Sequence, residues 1–429
     1  MDHFDYRDGA MHAEDVPLDL IAEAVGTPVY VYSAATMTRH VHVFREALAG
    51  VEGGNGALVA FAVKANPNAA VLSVLARLGC GADVVSGGEL QRARAAGIPA
   101  DRIVFSGVGK TADEMALALR EGIYQFNLES EEEARTLSVV ASALGVEAPV
   151  AFRVNPDVDA GTHAKISTGK SENKFGIPCD TAPDAYARAA ALPGLRIQGV
   201  AVHIGSQLTD LAPLDTAFAR VGRLIARLRE EGRAIVTADL GGGLGVPYDP
   251  ARPAPPTPAA YGAMVAKATK GWNARLIFEP GRLIVGNAGV LLTRVIRVKP
   301  GMEAPFVIVD AAMNDLMRPA LYDAWHDIRA VVPTGERFTA NVVGPVCETG
   351  DTFATGRVMD AVNEGALVAF MTAGAYAATM ASTYNSRPLT PEVLVSGDRW
   401  AVVRPRLGVE ALIAADRVPD WVNDMKGIG

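Results

Sequence analysis

The 429-residue sequence has few cysteines, no long apolar run and no basic arm, and each absence excludes a class of protein. Its cysteines, Cys80, Cys179 and Cys347, are too few and too scattered for a disulfide framework or a metal site. No stretch approaches the roughly 20 apolar residues that a membrane-spanning helix needs. The net charge of −8 argues against a general affinity for nucleic acid or for an anionic membrane.

The beginning of the chain is acidic and lacks the apolar segment of a signal peptide. We therefore expect a cytoplasmic protein, in which unpaired cysteines are ordinary. With 49% hydrophobic and 21% charged residues, the composition is that of a globular enzyme. The length suits a barrel joined to a second, smaller domain. We find no internal repeat and no low-complexity segment.

Short β-rich runs alternate with amphipathic segments from about residue 55 to residue 285. The amphipathic segments place apolar residues at i, i+3, i+4 and i+7, which predicts helices. Such alternation of strands and helices is typical of an α/β protein with a (β/α)8 barrel, and a doubly wound parallel sheet is the alternative. The predicted strands lie at residues 57–66, 82–86, 102–107, 124–130, 149–156, 196–206, 234–243 and 274–281.

After residue 286 the helical period largely disappears, and runs that alternate or are β-branched are separated by Gly and Pro. This pattern predicts an all-β domain, a β-barrel or a sandwich. The early run VYVYS (29–33) stands apart from the barrel pattern, and we expect it to pair with this second sheet. The predicted division is an N-terminal segment 1–36 that pairs with the β domain, a barrel at 37–285 and a C-terminal β domain at 286–429.

Two connections inside the barrel are unusual. Residues 157–177 separate a strand from its helix and are rich in Gly, Ser, Thr and Lys, so we predict a lid over the site. His163 lies in this lid, and we expect it to have no catalytic role. Residues 253–258 (PAPPTP) predict an exposed connector within the barrel.

Polar residues follow several of the predicted strands, at the end where barrel enzymes carry their catalytic groups. Lys64, Asp83, His203 and Glu279 each lie at or near such a strand end, and glycines follow another at 241–245. Each signal alone has an ordinary interpretation, since lysines snorkel at surfaces, histidines occur in cores and Gly-Gly forms turns. Their convergence at one rim predicts an active site.

The residue types at this rim suit pyridoxal 5′-phosphate (PLP). Burial lowers the pKa of a lysine, so the amine of Lys64 is expected to be neutral and able to form a Schiff base. The GGGLG run at 241–245 lacks the dinucleotide fingerprint, because Val246 stands where the third glycine falls. Its clustered N–H groups can hold one phosphate instead. A carboxylate such as Glu279 is a suitable partner for the pyridine nitrogen.

The whole chain carries motifs that resemble the diaminopimelate decarboxylase family. That resemblance implies PLP-dependent conversion of meso-2,6-diaminopimelate to L-lysine and CO2, the last step of lysine biosynthesis. It also implies a homodimer whose active sites are shared between subunits. The scarce cysteines and the net charge lead us to expect no metal and no nucleic-acid or membrane partner. The motifs are AFAVKANPN (60–68), GADVVSGGEL (81–90), HIGSQ (203–207), GGGLG (241–245), FEPGR (278–282), MRPALYDAWH (317–326), VVGPVCETGD (342–351) and GAYAATMASTYNSRP (374–388).

The same resemblance implies a role for each matching residue. Lys64 would be joined to the cofactor, and Cys347 of the partner subunit would return a proton to the α-carbon after CO2 leaves. The implied cofactor-binding residues are Lys64, Asp83, His203, Ser206, Gly242, Gly243, Glu279, Gly281, Arg282 and Tyr376. The implied substrate-binding residues are Arg282, Arg318, Tyr322, Glu348 and Tyr376, with Glu348 also supplied by the partner subunit.

The chemistry of these side chains leaves alternatives open. Activity on ornithine, arginine or carboxynorspermidine is one, although such substrates offer no distal carboxylate to an arginine such as Arg318. A PLP-dependent racemase is another, and it is disfavoured because Glu279 keeps the pyridine nitrogen protonated and so favours loss of CO2. The third is a non-catalytic PLP-binding barrel, which usually lacks a second domain or the catalytic groups.

Overall fold

A computed structural model describes residues 2–159 and 174–423. Most of the predicted lid at 157–177, including His163, lies outside the described residues. The strands are β1 (Phe4–Arg7), β2 (Ala10–Ala13), β3 (Val16–Pro17), β4 (Val29–Ser33), β5 (Leu58–Ala62), β6 (Gly81–Val84), β7 (Ile103–Phe105), β8 (Gln125–Leu128), β9 (Ala148–Asn155), β10 (Ile177–Pro178), β11 (Leu195–Val202), β12 (Thr237–Asp239), β13 (Arg275–Phe278), β14 (Gly289–Lys299), β15 (Phe306–Val309), β16 (Ile328–Ala330), β17 (Arg337–Val343), β18 (Thr352–Asp360), β19 (Leu367–Phe370), β20 (Glu392–Ser396) and β21 (Arg399–Arg404).

Several of the described helices begin at a capping side chain. Ser130 accepts a hydrogen bond from the N–H of Glu133 at the start of one helix, which ends at Gly145 with φ of 67°. The helices are α1 (Leu18–Val25), α2 (Ala34–Leu48), α3 (Ala69–Arg77), α4 (Gly87–Ala95), α5 (Ala112–Glu121), α6 (Glu131–Leu144), α7 (Ala182–Ala190), α8 (Ala212–Glu230), α9 (Pro258–Ala268), α10 (Arg282–Val285), α11 (Arg318–Tyr322), α12 (Val409–Ala415) and α13 (Asp420–Asn423). No helix in the described part of the chain combines the length and apolar character that crossing a bilayer requires.

Eight parallel strands of the described chain close into a barrel. The ring runs β5, β6, β7, β8, β9, β11, β12 and β13, and the short strand β10 pairs with the outer part of β9. Closure comes from the pairing of β13 with β5 and of β8 with β9. The predicted (β/α)8 barrel is confirmed, and the doubly wound alternative is excluded because an open sheet has free edges. All strand ends that carry the predicted site residues therefore face one mouth.

A mixed sheet forms the second domain. Strand β14 pairs antiparallel with β4, β15 and β19, and β15 pairs parallel with β17. Strand β4 is the early VYVYS run, and it lies between β14 and β20, so its predicted place in the second sheet is confirmed. Short helices α11 to α13 also lie in this part of the chain.

The N-terminal strands β1, β2 and β3 form a small antiparallel sheet on the β domain. The Tyr6 hydroxyl donates to the Ala330 carbonyl at 2.6 Å, and the Met11 N–H donates to the Val331 carbonyl at 2.8 Å. Met11 is fully buried in one apolar cluster with residues of β4 and β14. The division at residues 36/37 and 285/286 stays a prediction.

Two backbone segments come very close together where the barrel passes into the β domain. The Gly374 N–H donates to the Gly286 carbonyl at 3.0 Å. A Cβ on Gly374 would lie 1.9 Å from the Val285 carbonyl oxygen and 2.9 Å from the Gly289 nitrogen. Only glycine allows the two backbones to approach this closely.

We expect Gly374→Ala to lower the free energy of unfolding by about 1–3 kcal/mol, because the added methyl group forces the two backbones apart. Denaturant unfolding of the purified variant measures the change. Gly50→Ala is the matched control, since nothing lies within 4 Å of its Cβ position. Equal stability of the two variants would contradict the close-packing interpretation.

Candidate active site

Lys64 lies at the barrel mouth, in a single 3-10 turn (Val63–Ala65) that directly follows β5. Its Nζ donates to the Oδ2 of Asp83 at 2.5 Å, and the Asp83 side chain at the end of β6 is fully buried. The Lys64 side chain keeps 38% of its surface exposed, and that surface lines cavities inside the mouth. The amine is therefore accessible to a ligand and is held by a buried carboxylate.

The protonation of Lys64 differs from the sequence prediction. Burial lowers the pKa of Lys64, but the carboxyl groups of Asp83 and Glu279 raise it by more, so the pKa lies above its usual value. The expectation of a neutral amine is therefore wrong for the chain alone. Burial acts on any lysine, whereas the sign of the net shift depends on acids that reach the amine from other strands.

Glu279 and Asp239 form a buried acidic pair beside Lys64. Burial, together with the carboxyl groups of Asp239 and Asp83, holds the pKa of Glu279 well above its usual value. Burial also raises the pKa of Asp239, to about 6. The Nδ2 of Asn127 donates to the Asp239 Oδ2 at 2.8 Å and contacts the Glu279 Oε1 at 3.4 Å. A proton is thus held at this end of the site.

The barrel interior below this pair is polar. The Gln125 Nε2 donates to the Asn127 Oδ1 at 2.8 Å, and the Thr237 hydroxyl donates to the Gln125 Oε1 at 2.7 Å. The Gln198 Nε2 also donates to Gln125, at 3.1 Å. These residues were not predicted from the sequence, where their one signal is a polar side chain inside an otherwise apolar strand.

A glycine-lined segment after β12 borders the amine. A Cβ on Gly242 would lie 2.2 Å from the Glu279 carbonyl oxygen, and Gly243 has φ of +110°. The Gly242 N–H donates to the Nδ1 of His203 at 3.2 Å. Burial, with Arg153 and Lys64 nearby, holds the pKa of His203 well below its usual value, so its ring is neutral. A flat neutral ring beside a glycine segment suits contact with an aromatic ligand.

These groups enclose one recess, and the predicted cofactor residues meet in it. The residues present fit PLP, because an amine, a close-packed glycine segment and a buried carboxyl face the same space. Asp83 is not among the residues that line the recess, but its carboxylate contacts Lys64, which does line it. The predicted residues that line it are Lys64, His203, Ser206, Gly242, Gly243, Glu279, Gly281, Arg282 and Tyr376.

A cavity of about 530 Å³ adjoins the recess and contains two buried cations. Arg282 and Arg318 are 6% and 7% exposed. Tyr322 and Tyr376, predicted to bind substrate, line the same cavity. Tyr248, which was not predicted from the sequence, lines it too. A ligand with a carboxylate complements this lining.

A third cavity, of about 390 Å³, extends over the barrel mouth toward the end of the predicted lid. Phe175 lines it, with the Arg153 guanidinium 4.7 Å from the ring centre. Glu129 accepts from Arg153 at 3.1 Å and from the Gly176 N–H at 2.7 Å. The described end of the 157–177 segment is therefore attached to the mouth.

Cys347 and Glu348 lie elsewhere on the chain. Both are exposed in the turn after β17, and neither lines the three cavities described. Asn385 contacts the Cys347 thiol at 3.5 Å, and the Tyr384 hydroxyl donates to Glu348 at 3.2 Å. A single chain does not bring these two predicted residues to Lys64.

Comparison with known proteins agrees with this site. Residues 34–286 match the family model "Pyridoxal-dependent decarboxylase, pyridoxal binding domain". The diaminopimelate decarboxylase of Zymomonas mobilis is 56% identical over 98% of this chain and 99% of its own length. That of Pseudomonas aeruginosa is 52% identical, over 97% and 99%.

Solved structures give the same result. Diaminopimelate decarboxylase from Helicobacter pylori complexed with L-lysine superposes with a TM-score of 0.88 at 40% identity, covering 93% of this chain and 98% of that one. Diaminopimelate decarboxylase from M. jannaschii in co-complex with L-lysine gives a TM-score of 0.92 at 37% identity, covering 97% of this chain and 98% of that one. The chain belongs to the diaminopimelate decarboxylase family of pyridoxal-dependent decarboxylases.

Proposed function

We propose that this chain decarboxylates meso-diaminopimelate to L-lysine and CO2, using PLP held at Lys64. The observation that carries the proposal is an amine between buried carboxyl groups, next to a cavity with two buried arginines. Relatives named diaminopimelate decarboxylase match nearly the full chain, which favours this substrate over other basic amino acids.

The cofactor, when bound, supplies an electron sink that stabilises the carbanion left after CO2 departs. Lys64 Nζ would hold its aldehyde carbon, and the glycine segment at Gly242 and Gly243 would hold its phosphate. His203 would lie on the face of the ring, where a neutral imidazole adds no charge. Glu279 would face the ring nitrogen.

Two protons are positioned for this site. The Lys64 ammonium must lose a proton before its nitrogen can bond to a carbonyl carbon, and the Asp83 Oδ2 lies 2.5 Å from that nitrogen. The raised pKa of Glu279 keeps a proton on its carboxyl, beside the ionisable Asp239. A ring nitrogen placed there would find a proton already present.

The two arginines support the choice of substrate. Diaminopimelate carries a second carboxylate at its unreactive end, and a guanidinium holds a carboxylate through paired hydrogen bonds. Ornithine or arginine would leave the buried Arg318 without that partner, at a cost of about 1–3 kcal/mol. A racemase is disfavoured as well. Racemisation without loss of CO2 calls for a weaker electron sink, which a cation beside the ring nitrogen gives, whereas Glu279 is an acid.

The exposure of Cys347 and Glu348 supports a homodimer with shared sites. We infer that these residues reach the active site of a second copy, where the thiol would return a proton to the α-carbon and Glu348 would bind the distal ammonium. We also infer a cytoplasmic location, which suits the free thiols of Cys80, Cys179 and Cys347.

We expect Lys64→Ala to lose both decarboxylation and the visible absorption of bound cofactor, because no other described amine lies in the recess. Spectra of the purified protein with added PLP, and an assay of L-lysine release, measure the two effects. Lys270→Ala, at an exposed surface lysine, is the control. A yellow and active Lys64→Ala protein would disprove the assignment.

We expect Arg318→Ala to raise KM for meso-diaminopimelate about tenfold or more, since a charged hydrogen-bonded contact is worth about 1.5–3 kcal/mol. Steady-state kinetics of the cofactor-loaded variant give the value. Arg297→Ala, on the exposed side of β14, should behave as the unmodified protein. An unchanged KM in Arg318→Ala would argue against diaminopimelate as the substrate.

We expect a mixture of inactive Lys64→Ala and Cys347→Ala chains to recover activity after subunit exchange. If each site combines both residues from different copies, about a quarter of the sites in an equal mixture are complete. Activity of the mixture, compared with each variant alone, measures the recovery. No recovery, when exchange is verified by size and labelling, would contradict shared sites.

A further inference from the structure

A buried histidine lies directly behind Arg318. His326 is 2% exposed, and its Nε2 accepts a hydrogen bond from the Arg318 Nε at 3.3 Å. Its Nδ1 lies 2.9 Å from the Met371 carbonyl oxygen. The Nε of Arg318 is thus bonded to the protein, and the two outer nitrogens of its guanidinium remain for a ligand in the cavity.

The two neighbours of His326 fix its tautomer. A carbonyl oxygen only accepts, so Nδ1 carries the hydrogen, and a guanidinium only donates, so Nε2 must be bare. Burial and the nearby Arg318 cation lower the pKa of His326 to about 3, so the ring stays neutral. A protonated ring would have no lone pair to offer and would repel Arg318.

Tyr248 joins this unit to the second arginine. Its ring meets the His326 ring edge-on, with centres 5.4 Å apart, and lies 5.1 Å from the Arg318 guanidinium. Its hydroxyl accepts a hydrogen bond from the Arg282 Nη1 at 2.5 Å. Arg282 also donates to the Ser206 hydroxyl at 3.2 Å. The positively charged side chains of Arg282 and Arg318 are thereby both held in contact with Tyr248.

We propose that His326 and Tyr248 are positioning residues that set the selectivity of this site for a carboxylate at the unreactive end of the substrate. The proposal rests on the proposed function, because it assigns Arg318 to that carboxylate. Without His326, the Arg318 Nε would be a buried donor with no acceptor, and the side chain would turn to satisfy it. The outer edge of Arg318 would then no longer face the cavity.

Ligand binding separates this role from the chemical step. L-lysine retains the carboxylate of the unreactive end, whereas 1,5-diaminopentane has the same carbon chain and amines without it. The ratio of their dissociation constants from the cofactor-loaded enzyme therefore reports on the carboxylate contact alone. It does not require turnover.

We expect His326→Leu to weaken L-lysine binding about tenfold and to leave 1,5-diaminopentane binding unchanged, since a tenfold change is the loss of one charged hydrogen bond. KM for meso-diaminopimelate should rise while kcat stays within about twofold. His326→Gln, whose amide oxygen can accept from Arg318, should restore most of the selectivity. The control is His12→Leu, a histidine bonded through Nδ1 to a backbone carbonyl on β2, far along the chain from the site.

The same comparison at Tyr248 keeps the test decisive if His326→Leu fails to fold. Tyr248→Leu should reduce the selectivity for L-lysine, and Tyr248→Phe should keep most of it, because the ring under Arg318 remains. Unchanged selectivity in folded His326→Leu or Tyr248→Leu, or an equal loss in His326→Gln, would overturn the proposal. Failure of the unmodified enzyme to decarboxylate meso-diaminopimelate is a separate result, and it would overturn the proposed function.

Discussion

The ion pair between Lys64 and Asp83 is the interaction on which the site depends. A lone ammonium or a lone carboxylate in this interior would be costly, and each removes the cost of the other. Asp239 and Glu279 add two further acids, which the same confined space cannot keep fully ionised. The raised pKa values of both acids follow from this crowding. The barrel mouth therefore stores charge and protons before any ligand enters.

The β domain completes the site through backbone contacts. The Tyr376 N–H donates to the Ala65 carbonyl at 2.8 Å, one residue beyond Lys64. Tyr376 has φ of 54°, a left-handed conformation that costs free energy for a residue other than glycine. The contact with the barrel holds it there, with its ring 4.8 Å from the Arg282 guanidinium. The geometry of the site at Lys64 therefore depends on the packing between the two domains.

The barrel and most of the cofactor recess could be predicted from the sequence, because strand runs and helical periods are local and strand ends share one rim. The charge of Lys64 could not be predicted, because it depends on the carboxyl groups of Asp83 and Glu279. These residues are distant from Lys64 in the sequence, and hydrophobic periodicity gives no information on such contacts. Gln125 and Asn127 were missed because polar residues in a strand usually indicate a solvent-facing side. His326 was missed although it lies in the same motif as Arg318, because the motif does not show that its ring contacts the guanidinium. Tyr248 was missed because its role depends on arginines from other segments of the chain.

The position of β4 has a consequence for how the protein is made. Barrel strands pair mostly with neighbours in the chain, so much of the barrel can form while synthesis continues. Strand β4 emerges before all of them, yet one of its edges pairs with β20 near the other end. Until β20 leaves the ribosome, the VYVYS edge has no partner and is open to pairing with another chain. An early strand of this protein therefore waits for almost the whole chain to be made before its native partner is available.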